Sequence, residues 1–259
     1  MQRRHLLILA GATALKARAQ VVNLNDAINK AGRQRMLSQR MSKAWLAMLQ
    51  GTHSANAKVV MDRSMALFDR QLVELKAFAP TPTVRDTYLK LEASWSEYKV
   101  LLIGTAPDRS KASALIKADA KVLALAHEGT QQYETLSTRP EGKLVNVAGR
   151  QRMLTQRMAK FYFAATLPVD TELATTEITK ARSEFIDAMA LLRNAPQANA
   201  RIQQELALAD GQWFFFNSAI ERLESARTTP KQLSDVFVTS ENLLSVMDHV
   251  TGLYASLST

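Results

Sequence analysis

The heptapeptide Ala-Gly-Arg-Gln-Arg-Met-Leu stands twice in this chain of 259 residues, at Ala31–Leu37 and at Ala148–Leu154, and both copies run on into Gln-Arg-Met. The longer match pairs residues 28–43 with residues 145–160 at a constant offset of 117. A duplicated segment under packing constraint alone keeps apolar character and loses polar identity. Retention of a glycine, three arginines and two glutamines therefore gives these side chains a role beyond filling space. It also makes the chain a duplication, so whatever one half folds into, the other half folds into as well.

The rest of the chain reads as helix. All seven prolines, at positions 80, 82, 107, 140, 168, 196 and 230, fall between apolar-periodic stretches and punctuate them. With the polar break Gly51-Thr52-His53-Ser54, they leave eight segments rich in Ala, Leu, Met, Lys, Gln and Glu, at about 24–50, 55–79, 83–104, 109–138, 141–166, 170–194, 198–227 and 230–257. Four pair with four: Ala79-Pro80 matches Ala195-Pro196, Trp95 matches Trp213 within one residue, and Tyr133-Glu134-Thr135-Leu136 matches Tyr254-Ala255-Ser256-Leu257. Four amphipathic helices joined by short loops make an up-down bundle. The expected fold is all-α, two tandem four-helix bundles related by a pseudo-twofold, with residues 20–138 as the first repeat and 139–259 as the second.

Residues 1–19 read as an export signal: Arg3 and Arg4, an apolar stretch from Leu6 to Leu15, and Ala17-Arg18-Ala19 as a cleavage site. The Arg-Arg pair fits a twin-arginine route as well as the general secretory one, so the route stays open, and the expected location is the periplasm. After this segment no run of about 18 apolar residues is present to span a bilayer. The absence of cysteine excludes disulfides, thiolate metal sites and cysteine nucleophiles. Removing the four basic residues of 1–19 leaves 29 Lys and Arg against 24 Asp and Glu, a mild excess of +5. That excess is spread out and shows no aromatic-basic groove pattern, so a small anion suits it better than nucleic acid.

On a helix turning about 100° per residue, Leu37, Met41, Trp45 and Met48 share one face, an ordinary core stripe. Arg35 lies roughly opposite, in line with Ile28, Ala31, Ser42 and Leu46 and flanked by Gly32 and Gln39. This second strip is small and apolar, which lets another helix approach closely. An arginine within it is partly desolvated, and no acid lies within one helical turn to neutralise it. The second copy repeats the arrangement with Arg152 among Val145, Ala148, Ala159 and Phe163. If the two strips face each other, two guanidinium forks converge on one small planar anion, a geometry arginine serves better than lysine. Gln39 and Gln156 complete the donor set. Arg33, Arg40, Arg150 and Arg157 sit to one side with Asn29 and Asn146, where solvated surface charge is the competing reading.

The run Asn-x-Ala-Gly-Arg-Gln-Arg-Met-Leu-Ser-Gln-Arg-Met resembles the opening helix of the PilJ-type sensor domain, the type IV pili methyl-accepting chemotaxis transducer N-terminal domain. That domain is similar to the nitrate-sensing domain of NarX-like histidine kinases. The resemblance covers about 20 residues in each copy. It implies a periplasmic all-helical bundle with nitrate held between two copies of the motif helix, by the arginine of the Arg-Met pair that follows the glycine. In this chain those arginines are Arg35 and Arg152. The ligand set expected is Arg35, Arg152, Gly32, Gly149, Gln39, Gln156, Arg33 and Arg150. No transmembrane helices, linker, kinase or methyl-accepting module are recognisable, so the two copies in one polypeptide are expected to act as a fused pseudo-dimer.

The expected function is a soluble periplasmic protein that binds nitrate or a similar small oxyanion and reports to a membrane receptor or transporter. The alternative is a helical scaffold that kept the fold, lost the ligand and binds an acidic protein partner. No catalytic constellation, nucleotide-binding glycine pattern or histidine pair of di-iron type occurs, so neither an enzyme, a cofactor nor a metal site is expected. His127-Glu128 and Asp248-His249 occupy matching helix ends and read as surface groups. Phe214-Phe215-Phe216 reads as core and inter-bundle packing.

Overall fold

The computed structural model describes residues 20–104, 106–167, 169–224 and 228–257; the expected export segment lies outside them. Among the described residues there are eight α-helices and no strand: α1 (Leu24–Leu49), α2 (Ser54–Phe78), α3 (Pro82–Ile103), α4 (Ala112–Leu136), α5 (Pro140–Thr166), α6 (Thr171–Asn194), α7 (Ala200–Glu221) and α8 (Pro230–Ser256).

The helix starts follow from local chemistry. Asn23, Thr81 and Asn199 each accept a hydrogen bond from a first-turn N–H, and Thr229 forms a reciprocal capping box with Gln232. Pro82, Pro140 and Pro230 open their helices, where the missing N–H removes nothing. The tight link from α1 to α2 places Gly51 and His53 in the left-handed region, at φ 69° and 47°. Two boundaries differ from expectation. A 3-10 turn, Arg109–Lys111, precedes α4, and α7 gives way to a 3-10 turn at Arg222–Glu224, well before residue 227. No proline or glycine marks that end of α7 before Pro230.

Each half is an up-down bundle whose first helix packs on its second and fourth, and whose third packs on its fourth. The duplication holds at the level of single contacts. Phe68 stacks on Trp95 at 4.3 Å between ring centroids, and Phe185 stacks on Trp213 at 4.4 Å. Tyr133 donates to the carbonyl of Leu75 at 2.9 Å, and Tyr254 donates to that of Leu192 at 2.7 Å.

The most extensive interface of the molecule joins α1 to α5, with α4 and α8 each also touching the opposite motif helix. From Met41 to Ala47 and from Met158 to Ala164 every side chain is buried. Helices wrapped on all sides lie at a molecule's centre, so α1, α4, α5 and α8 form an inner layer in which the two halves share one core. The expected use of the phenylalanine run is corrected: Phe216 is buried, whereas Phe214 is 67% and Phe215 59% exposed. Three consecutive helical residues point in directions about 100° apart, and α7 packs chiefly on α8.

A guanidinium pair at the crossing of two motif helices

α1 and α5 cross at their motif glycines. A methyl group built on Gly32 would lie 3.9 Å from the Gly149 Cα, 3.1 Å from Arg35 Nη2 and 3.6 Å from Arg152 Nη2. One built on Gly149 would meet the same two atoms at 3.8 and 3.1 Å. Absence of a side chain at both positions therefore makes the space in which two guanidiniums come together. Arg35 and Arg152 are both fully buried.

Each arginine reaches across to the other half. Arg35 Nη2 donates to Asn146, at 2.6 Å to Oδ1 and 3.4 Å to the carbonyl, and Arg152 Nη2 donates to the carbonyl of Asn29 at 3.1 Å. The remaining Nη1 turns back to the fourth helix of its own half, and there the halves differ. Arg152 Nη1 forms an ion pair with Asp248, which also receives Arg33 Nη2 at 2.8 Å. Arg35 Nη1 meets His127 Nδ1 at 3.2 Å. Among the described residues no carboxylate lies within ion-pairing distance of Arg35. Glu134 approaches it only through Asn146, whose Nδ2 donates to that carboxylate. In both arginines the buried Nε has no acceptor.

The electrostatics follow. Burial, reinforced by Arg150 and Arg152, lowers Arg35 to about 9, so it remains charged at neutral pH. Burial likewise lowers Arg152, to about 10, with Asp248 opposing. Burial and then the Arg35 and Arg150 cations lower His127 to about 4, leaving a neutral ring whose Nδ1 accepts from Arg35. Burial alone would raise Asp248, yet Arg152 and Arg33 outweigh it and hold that carboxyl at about 2.

The other expected site residues take different places. Gln39 donates at 2.7 Å to buried Asp119, and Gln156 donates at 3.0 Å to the carbonyl of Ser240. Their amides brace the inner helices one turn beyond the guanidiniums. Arg33 and Arg40 of α1 pair with Asp248 and Glu241 of α8, whereas Arg150 and Arg157 of α5 pair with Glu184 and Glu177 of α6. Asp248 and His127, expected as surface groups, instead hold the two motif arginines, and that reading is corrected. Setting Tyr133 against Tyr254, an offset of 121, brings His127 opposite Asp248 and Ala120 opposite Glu241. The sequence signal lay in comparing the two fourth helices with each other.

Buried lysines tie the halves. Lys43 reaches Glu241 at 2.6 Å and Ser240 at 3.0 Å, and Lys160 reaches Asp119 at 2.7 Å. Burial lowers Lys43 to about 8, while Glu241, despite its own burial, is held at about 2 by Lys43 and Arg40. A cleft of about 290 Å³ opens between α4, α5 and α6, and Arg35 lines it together with His127 and Arg150. Arg152 does not line it. Among the described residues no three His, Asp or Glu side chains gather as a metal site.

An all-helical duplicated bundle with paired arginines between its motif helices fits a helical sensor domain. Residues 17–125 and 135–237 each match the family described as PilJ, type IV pili methyl-accepting chemotaxis transducer N-term, and the chain belongs to that family. No curated protein and no solved structure matches it. Among the described residues no helix is long and apolar enough to cross a membrane.

Proposed function

We propose that this protein is a non-enzymatic, periplasmic sensor-type module that binds nitrate or a similar small oxyanion at the crossing of α1 and α5 and presents its ligand state to a membrane receptor or transporter. The observation that carries this reading is the pair of fully buried guanidiniums over Gly32 and Gly149, each with an Nε lacking an acceptor. Buried cations and unsatisfied donors cost free energy unless an anion meets them. Planar guanidinium suits a planar oxyanion. The acidic-partner alternative needs arginines on a free face. Arg33, Arg40, Arg150 and Arg157 are paired with carboxylates of this chain, and Arg35 and Arg152 are buried.

A thermal-shift panel with nitrate, nitrite and small carboxylates tests the reading. A ligand at 100 times its dissociation constant adds about 2.7 kcal/mol of stability, a rise in Tm readily seen. The double variant Arg35→Ala/Arg152→Ala, checked for helix content by circular dichroism, loses that response. A folded double variant that keeps the wild-type anion affinity contradicts the assignment.

A further inference from the structure

The duplication predicts two equivalent clefts beside the motif arginines, and among the described residues carboxylates of α8 occupy one of these places while the matching positions of α4 carry none. In the first half, Arg35 faces α4 and the cleft between α4, α5 and α6. Its counterpart would lie between α8, α1 and α2, beside Arg152. There Asp248 takes Arg152 and Arg33, and Glu241 takes Arg40 and Lys43, so two carboxylates of α8 draw the cations of α1 onto themselves. At the matching positions of α4 stand His127, held neutral, and Ala120, which has no charge to offer. Arg150 and Arg157 turn instead to α6, and the α4 wall of the cleft that buried Arg35 lines carries no carboxylate.

The open cleft has a definite chemistry. Four cations line it (Arg35, Arg150, Arg157 and Lys180) against two carboxylates, Glu177 and Glu184, an excess of two positive charges. Leu123, Ala124, Met153 and Leu154 supply apolar wall. Its volume of about 290 Å³ leaves room beyond a planar inorganic anion.

We infer that the protein binds one anion per chain, in the α4–α5–α6 cleft against Arg35, and that the ligand is a small carboxylate with an apolar body. Asp248 and Glu241 act as built-in substitutes for that ligand in the other half. The carboxylate meets Arg35, and the hydrocarbon part lies on the apolar wall. This deepens the anion reading and rests on it.

Isothermal titration of the wild-type chain with nitrate, acetate and butyrate tests the inference. The expected stoichiometry is one, with butyrate roughly fifteenfold tighter than acetate, since each of its two additional methylenes adds roughly fourfold when buried. Ala120→Glu/His127→Asp copies the acids of α8 into α4, and it is expected to abolish binding of all three probes. Ala124→Phe, an exposed wall position, is expected to weaken butyrate about tenfold while sparing nitrate, and it decides the matter if the acidic double variant fails to fold. Butyrate binding no tighter than acetate, or two sites per chain, overturns the inference, as does wild-type binding by a folded Ala120→Glu/His127→Asp variant. In each of these cases nitrate or acetate affinity lost with Arg35→Ala/Arg152→Ala leaves the anion reading standing. No binding of any probe to the wild type removes both.

Discussion

At the scale of single residues, Arg35 and Arg152 share one position in the motif but not one environment. Arg152 has Asp248, whereas Arg35 has a neutral imidazole and an asparagine. Replacing a buried charge that lacks a carboxylate by an apolar side chain of similar length removes its desolvation cost, which at Arg35 is set against the hydrogen bonds lost to Asn146 and His127. Arg35→Met is therefore expected to match the wild-type Tm without ligand and to lose the thermal response to anions. Asp119→Ala acts oppositely. It strands Lys160 in the core and is expected to cost about 3–5 kcal/mol in urea unfolding, most of which Asp119→Ala/Lys160→Met restores. Burial of the two arginines was legible in the sequence, because the repeat put each on a small, apolar helix face. Their partners were not, since His127 and Asp248 differ between the copies and sit on helices about 90 residues away, where only the packing decides what meets what.

At the scale of helices, the motif glycines set how closely α1 and α5 approach. A Cβ at Gly32 would crowd the far end of Arg35, at 3.1 Å, a group able to give way, while Arg152 Nη2 and the Gly149 Cα would stand at ordinary contact distances of 3.6 and 3.9 Å. Gly32→Ala also gains helix propensity, worth up to about 1 kcal/mol. The expected outcome is a stability within about 1 kcal/mol of wild type, together with weakened anion binding as the guanidinium shifts. Unfolding curves and titrations on the one variant check both halves of that statement. Helix number and most boundaries were readable from the prolines and the period. The end of α7 was not, because no breaker marks it, and the outward turn of Phe214 and Phe215 depends on which neighbour α7 packs against.

At the scale of the molecule, the halves are joined by the polar inner layer as well as by apolar contact. Glu241 and Asp248 link α8 to α1, and both have folded-state pKa values of about 2, below their ordinary 4.5 and 3.8. Groups depressed in this way contribute stability that is full above the unfolded values and is lost as pH falls through the folded ones. Denaturant midpoints are thus expected to begin falling near pH 6.5, where the unfolded chain protonates His127 and the folded one holds it neutral down to about 4, and to fall further between about 4.5 and 2 as the two carboxylates protonate, with Glu241→Gln flattening that lower part of the slope. The duplicated architecture was legible at this scale from the 117-residue repeat. The small-residue strip showed how α1 and α5 could face each other, but that the two bundles share one core through these helices was not read from it. The asymmetry that sets carboxylates on α8 and none at the matching positions of α4 was not legible either, because it arises from residues at which the repeat fails.

The guanidiniums gathered over Gly32 and Gly149 are proposed to hold donors that await an anion. Proton–nitrogen correlation spectra of arginine Nε in the wild-type chain test it most directly. Two solvent-protected Nε–H signals, assigned by Arg35→Lys and Arg152→Lys, are expected, and the Arg35 signal is expected to move on adding nitrate or butyrate. An Arg35 signal that stays in place at saturating anion would mean that its guanidinium is no part of an anion site.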